Sequence, residues 1–210
     1  MIITPDKIER VAGGIVVVDV SGQMPKHKFR RYPRRQKKIS KLYFHKSGRL
    51  GAPGLQGAIN SARYCVTHRK VKNSPIPGWA GMPYTFWINF HPVYLEQIAE
   101  IDVFDSNWEL EPEAWVFFRC QPDHLRTWHT GGLANQIGVS ACFQGTGEIS
   151  DFQFEVAEAL IPWAKERYKL RLPSGLSWHS DRSKWGPPKV KPVCPGPMAV
   201  KWLEDYRANC

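Results

Sequence analysis

The segment LSWHSDRSKWGPPKVKPVCPGP (176–197) holds His179 and Cys194 fifteen positions apart, across a loop rich in Pro and Lys. Imidazole and thiolate are the ligands zinc prefers, and the same pair can serve as base and nucleophile. A third candidate, His45, closes the segment ISKLYFH (39–45), and the Gly-rich loop KSGRLGAPG follows it. Strand ends feeding such loops are where α/β sheets place ligands. Two His and one Cys with a fourth position open is a catalytic zinc pattern, whereas structural zinc usually closes with four protein ligands. Seven His and five Cys allow many such triples. The residues by themselves therefore leave open a metal site, a Cys194–His179 hydrolase, and a surface loop with an incidental thiol. A nucleophilic cysteine usually opens a helix, where the dipole lowers its pKa; Cys194 is instead followed by Pro-Gly-Pro.

These candidates need elements to hold them. Residues 39–45 alternate apolar and polar and predict the first strand of the main fold, with His45 at its end. Residues 55–69 carry Leu55, Ile59, Ala62, Cys65 and Val66 at a helical period. MPYTFWINF (82–90) is aromatic and β-prone and predicts a second strand. AWVFFR (114–119) predicts a third and QIGVSACFQG (136–145) a fourth. SDFQFEVAEALIPWAKERYKL, from Ser150, predicts an amphipathic helix with a Ser cap and a kink at Pro162. MAVKWLEDYR predicts a terminal helix. The stretch 91–113 is markedly acidic and reads as a short helix and a loop. Strands interleaved with helices predict an α/β fold: a single domain with a central mixed β-sheet flanked by helices. Residues 1–38 are read as a basic N-terminal extension with one short strand (Ile15–Val20), and 39–210 as the domain proper.

A chain of 210 residues with 42% hydrophobic content and nine Trp is a folded protein, not a disordered one. Five widely spaced Cys without a Cys-x-x-Cys pair argue against a disulfide framework, and Cys65, Cys120 and Cys142 read as buried thiols. Asp6, Lys7, Glu9 and Arg10 precede the short run IVVVDV, so a secretory signal is not read there. A soluble product of the cytoplasm is expected, and a monomer. The net charge of +10 is local: nine Lys or Arg and no acid lie between Lys26 and Lys41. Such a patch attracts an anionic cell-wall polymer, an anionic membrane surface or a nucleic acid. Phe29 and Tyr32 within it could stack on bases, yet no nucleic-acid-binding fingerprint accompanies them.

WHTGGLANQIGVSACFQG (128–145) resembles the His-x-Gly…Asn…Ile-Gly-Val…Gly stretch of the zinc N-acetylmuramoyl-L-alanine amidases, a family that includes phage endolysins and peptidoglycan recognition proteins. The order of features is similar too: a strand ending in His45, then GMPYTF, then WHTGG and IGVS, a helix carrying Gln153, and a late His179 and CPG. The resemblance spans about residues 39–205. It implies one zinc ion held by His45, His179 and Cys194, and a catalytic tyrosine at Tyr84. It places His129 and Asn135 at positions that line or shape the substrate groove, although Asn before a strand commonly fixes a turn. Active members often carry a polar residue two positions before the ligand cysteine, where this chain has Pro192; Lys191 is the candidate for that second catalytic group. Lys46 after His45 and the acidic stretch 91–113 also depart from the family pattern. The implied activity is cleavage of the amide between N-acetylmuramic acid and L-alanine in peptidoglycan. An endolysin would be made in the host cytoplasm and act on the wall after release. A non-catalytic peptidoglycan-binding module of the same fold is the alternative; such members often lose the cysteine ligand.

Overall fold

In the computed structural model, residues 5–48, 51–71, 74–98, 110–130, 132–146, 148–181 and 194–210 are described. Among them, seven strands make one mixed sheet: β1 (Ile8–Ala12), β2 (Ile15–Asp19), β3 (Lys41–Lys46), β4 (Phe86–Ile88), β5 (Trp115–Arg119), β6 (Gly138–Phe143) and β7 (Leu176–Trp178). Their spatial order is β1-β2-β5-β4-β6-β3-β7. The pairs β1–β2 and β4–β5 are antiparallel and the others parallel. Four helices accompany them: α1 (Gly54–His68), α2 (Ala134–Ile137), α3 (Asp151–Tyr168) and α4 (Pro197–Ala208).

Helices cover both faces of the sheet, which is why its inner strands read as continuous apolar runs. In β2, Ile15 and Val17 face one core with Phe152, Val156 and Leu160 of α3 and Leu203 of α4. Val16 and Val18 face the other, with Ala58 and Ala62 of α1, Met82 and Trp87. The start of α3 is set by a capping box: Ser150 Oγ accepts from the Gln153 N–H, and Gln153 Oε1 accepts from the Ser150 N–H. Gln153 is buried to its tip and donates to the carbonyls of Ile88 and Gln144, tying the helix to β4 and β6. Despite Pro162, α3 runs on to Tyr168.

The N-terminal segment differs from its expectation. β1 and β2 lie within residues 1–38, and β2 pairs along its length with β5, so the sheet extends across the expected boundary at 38. The basic run is likewise built into the fold: Tyr32 is buried with its hydroxyl donated to Gly81 O, and Arg34 bridges to Leu125. The expected strand over 82–90 is confined to Phe86–Ile88, leaving Tyr84 on the approach to it. The acidic stretch is drawn closed at its base, where Leu95 N–H bonds Ala114 O and Glu96 N–H bonds Pro112 O; residues 99–109 lie outside the described residues. No helix among the described residues is long and apolar enough to cross a membrane.

Candidate metal centre

Strand β3 carries His45 at the register position opposite Cys142 of β6. On its other side β3 pairs with β7, and the chain leaving β7 places His179, whose N–H bonds Phe44 O. Cys194 is then brought back by Ser180. The Ser180 hydroxyl donates to Cys194 O at 2.9 Å and accepts from Cys194 N–H at 3.3 Å, while Ser180 N–H donates to the same carbonyl at 3.2 Å. The Lys46 N–H points at Cys194 Sγ, 3.4 Å away. The result is a cluster in which one donor atom each from His45, His179 and Cys194 lie within 4.8 Å of one another.

Two imidazoles and a thiol at that separation fit a tetrahedral zinc site with one position left for water or substrate. His45 is 1% exposed. Burial, and then the neighbouring rings of His129 and His179, hold its pKa well below the usual imidazole value, so it is neutral and ready to ligate. Burial pushes the Cys194 thiol up, partly offset by the Lys46 N–H and charge.

His129 packs edge-on to His45, with His45 Nε2 3.3 Å from His129 Nδ1. His129 Nε2 faces Gly138 O at 3.4 Å. With that nitrogen donating to the carbonyl, Nδ1 is an acceptor, faced by both the Thr130 hydroxyl and His45 Nε2. Such support sets tautomer and ring orientation. Asn135 is buried, and its Oδ1 accepts from the N–H groups of His129 and Thr130. These bonds hold the turn and the ring that back the metal cluster.

Behind Asn135 stands Arg35, a residue that sequence reasoning placed only in a basic run. Its guanidinium donates to the carbonyls of Asp123, Leu125, Asn135 and Gln136 at 2.9 to 3.2 Å. Replacing it with Met would orphan all four, at about 2–3 kcal/mol for lost bonds to a charged donor. The expected drop in melting temperature is about 4–12 °C for a chain of this length. Arg35→Lys should recover only part of it, since an ammonium lacks the planar fork. A calorimetric shift below about 2 °C for Arg35→Met would contradict this.

Tyr84 lies 5.3 Å, ring to ring, from His45. Its hydroxyl bonds the buried thiol of Cys142, and burial first, then the Cys142 and Cys194 thiols, raises its pKa well above the ordinary phenol value. It therefore stays protonated and able to donate. Beside it opens a cavity of about 240 Å³ lined by Ser47, Asn60, Ser61, Tyr64, Arg69 and Trp87, among others. The Trp87 indole N–H is buried and has no hydrogen-bond partner among the described residues. Lys191 and Pro192 lie outside the described residues.

The buried histidines give the metal-free protein a characteristic acid sensitivity. The His129 pKa falls from 6.5 to about 3, chiefly through burial. Below the unfolded value the unfolded chain takes up a proton that folded His129 refuses, so stability falls as pH drops from about 6.5 toward 3. His45 acts in the same direction. Each histidine adds up to about 1.4 kcal/mol per pH unit. Urea midpoints between pH 7 and pH 5, above the range where carboxylates titrate, should show the decline. A flat profile there would mean that the two rings are not buried as described.

No family model matches the sequence, and no curated protein matches it. The fold is similar to solved peptidoglycan recognition proteins. Bumblebee PGRP-SA aligns at 15% identity, over 90% of this chain and 94% of that one, with a TM-score of 0.58. Drosophila PGRP-LB aligns at 14% identity over 90% and 93%, with a TM-score of 0.55. The ectodomain complex of PGRP-LCa and PGRP-LCx, solved with tracheal cytotoxin, aligns at 17% over 90% and 95%, with a TM-score of 0.56.

Proposed function

We propose that this chain, which has the fold of peptidoglycan recognition proteins, is a zinc-dependent peptidoglycan amidase cleaving the bond between N-acetylmuramic acid and L-alanine. The observation that carries the reading is the convergence of His45, His179 and Cys194 beside Tyr84. Three neutral or singly charged donors with an open fourth position are a hydrolytic arrangement, not a structural one. When bound, zinc supplies Lewis acidity and lowers the pKa of water from about 16 to about 7.

The chain's own residues do the rest. His45 and His179 bind as neutral imidazoles, and the Cys194 thiol gives up its proton on binding metal, cancelling one positive charge. His129, braced by Asn135 and Arg35, backs the His45 ring. The protonated Tyr84 hydroxyl, turning from the Cys142 thiol that it bonds in the free protein, donates toward the oxygen that gains charge as water attacks the amide carbonyl. The cavity next to Tyr84, with its amide, hydroxyl and guanidinium lining, suits a peptide stem. Within this reading the protein is an endolysin, made in a host cytoplasm and acting on the wall after release.

Mass spectrometry of soluble fragments from purified peptidoglycan tests it. Free stem peptides with a new L-alanine amino terminus should appear, vanish under chelation and return with zinc. An intact wall alongside one bound zinc per chain would instead make the protein a recognition module.

A further inference from the structure

From Val20 to Leu95 the sequence has fifteen Lys or Arg and no Asp or Glu. The fold uses some of these cations internally and presents the others. Arg35 is spent on backbone carbonyls. Arg30 is spent on lacing two loops together, donating to Ser74 Oγ and Ile76 O, both at 2.7 Å. His27, buried in the same seam, bonds Pro77 O through Nε2, and its N–H bonds Ala80 O. Loops 26–31 and 74–78 are thereby joined into one surface.

That surface carries two of the four large exposed hydrophobic residues among those described: Phe29, 72% exposed, and Ile76, 48% exposed. Exposed Lys26 and Lys28 flank Phe29, with Lys28 Nζ 5.3 Å from its ring centre, while Arg31, also exposed, donates to the loop's own carbonyls at His27 and Arg30. Exposed Arg69 and Lys70 precede the second loop. Apolar tips within a cationic surround cost free energy in water and gain it at a boundary that is greasy below and anionic above. A soluble polyanion would use the charges and leave Phe29 and Ile76 in water. A bilayer uses both, the apolar tips entering the headgroup region and the cations pairing with lipid phosphates.

We propose that loops 26–31 and 74–78 dock the protein on an anionic phospholipid bilayer. This surface is separate from the hydrolase reading and does not depend on it. Arg69, which lines the cavity beside Tyr84 and packs over Trp79, makes the docking face continuous with that cavity.

Sedimentation of the full, zinc-loaded chain with vesicles tests the proposal. One set is phosphatidylcholine alone and the other contains about one third phosphatidylglycerol. The expected partition is about tenfold or more in favour of the anionic vesicles at low salt, weakening as salt rises. Phe29→Ser with Ile76→Ser should lower it about tenfold without changing the melting temperature, since both side chains are exposed. Lys26→Gln with Lys28→Gln should lower it and flatten its salt dependence. Cys194→Ser should bind vesicles like the parent, which separates this result from any failure of the amidase reading. Equal binding to both vesicle sets would overturn the proposal. So would binding indifferent to Phe29 and Ile76 but displaced by a single-stranded oligonucleotide or a soluble wall polymer; the surface would then be a polyanion site.

Discussion

Cys194→Ser is expected to strip the protein of zinc and to cut fragment release from peptidoglycan by about a thousandfold or more, the scale of losing the metal's Lewis acidity and activated water together. A serine hydroxyl stays protonated near neutral pH, so it neither cancels charge nor offers the soft donor that the thiolate does. The fold should tolerate the change, because Ser180 holds the Cys194 backbone and a serine Oγ can still accept from the Lys46 N–H that faces the sulfur. Metal content per chain and fragment release are the two measurements, with Cys210→Ser, at an exposed thiol outside the cluster, as the control. One zinc per chain retained in Cys194→Ser would remove Cys194 from the ligand set. Loss of activity in a parent protein that is indifferent to chelators would revive the Cys194–His179 hydrolase.

Tyr84→Phe should leave zinc in place and lower kcat about 100-fold or more, the usual cost of losing one preorganised oxyanion donor (roughly 3–4 kcal/mol). The substitution removes a single oxygen from a ring packed beside His45, so it tests the donated proton and not the packing. KM should move little, since the bond strengthens only as charge develops. A change in kcat under about threefold would exclude Tyr84 as the donor. Loss of metal would show that it acts by propping His45.

Much of the fold was legible in the sequence because its signals are local. The alternation in 39–45, the helical period of 55–69 and the Ser150–Gln153 capping box each reside within a few residues, and each became the element expected. The order of motifs, and the types of His45, His179 and Cys194, pointed to this candidate metal cluster through a family resemblance. Short elements escaped. β7 is three residues long and shows no period to read, and β1 has Glu9 and Arg10 in its middle, so neither announced itself.

What only the tertiary structure decided are the pairings made across long stretches of chain. Nothing near residue 16 says that β2 lies against Val116. Nothing in a basic run distinguishes Arg35, spent on carbonyls about 90 to 100 residues away, from Lys28, which faces solvent. Ser180 holds Cys194 only once β7 lies beside β3. Residue types and short periods state what a segment can become, whereas the sheet's order, its register and the partners of each polar group arise from burial that the whole chain achieves together.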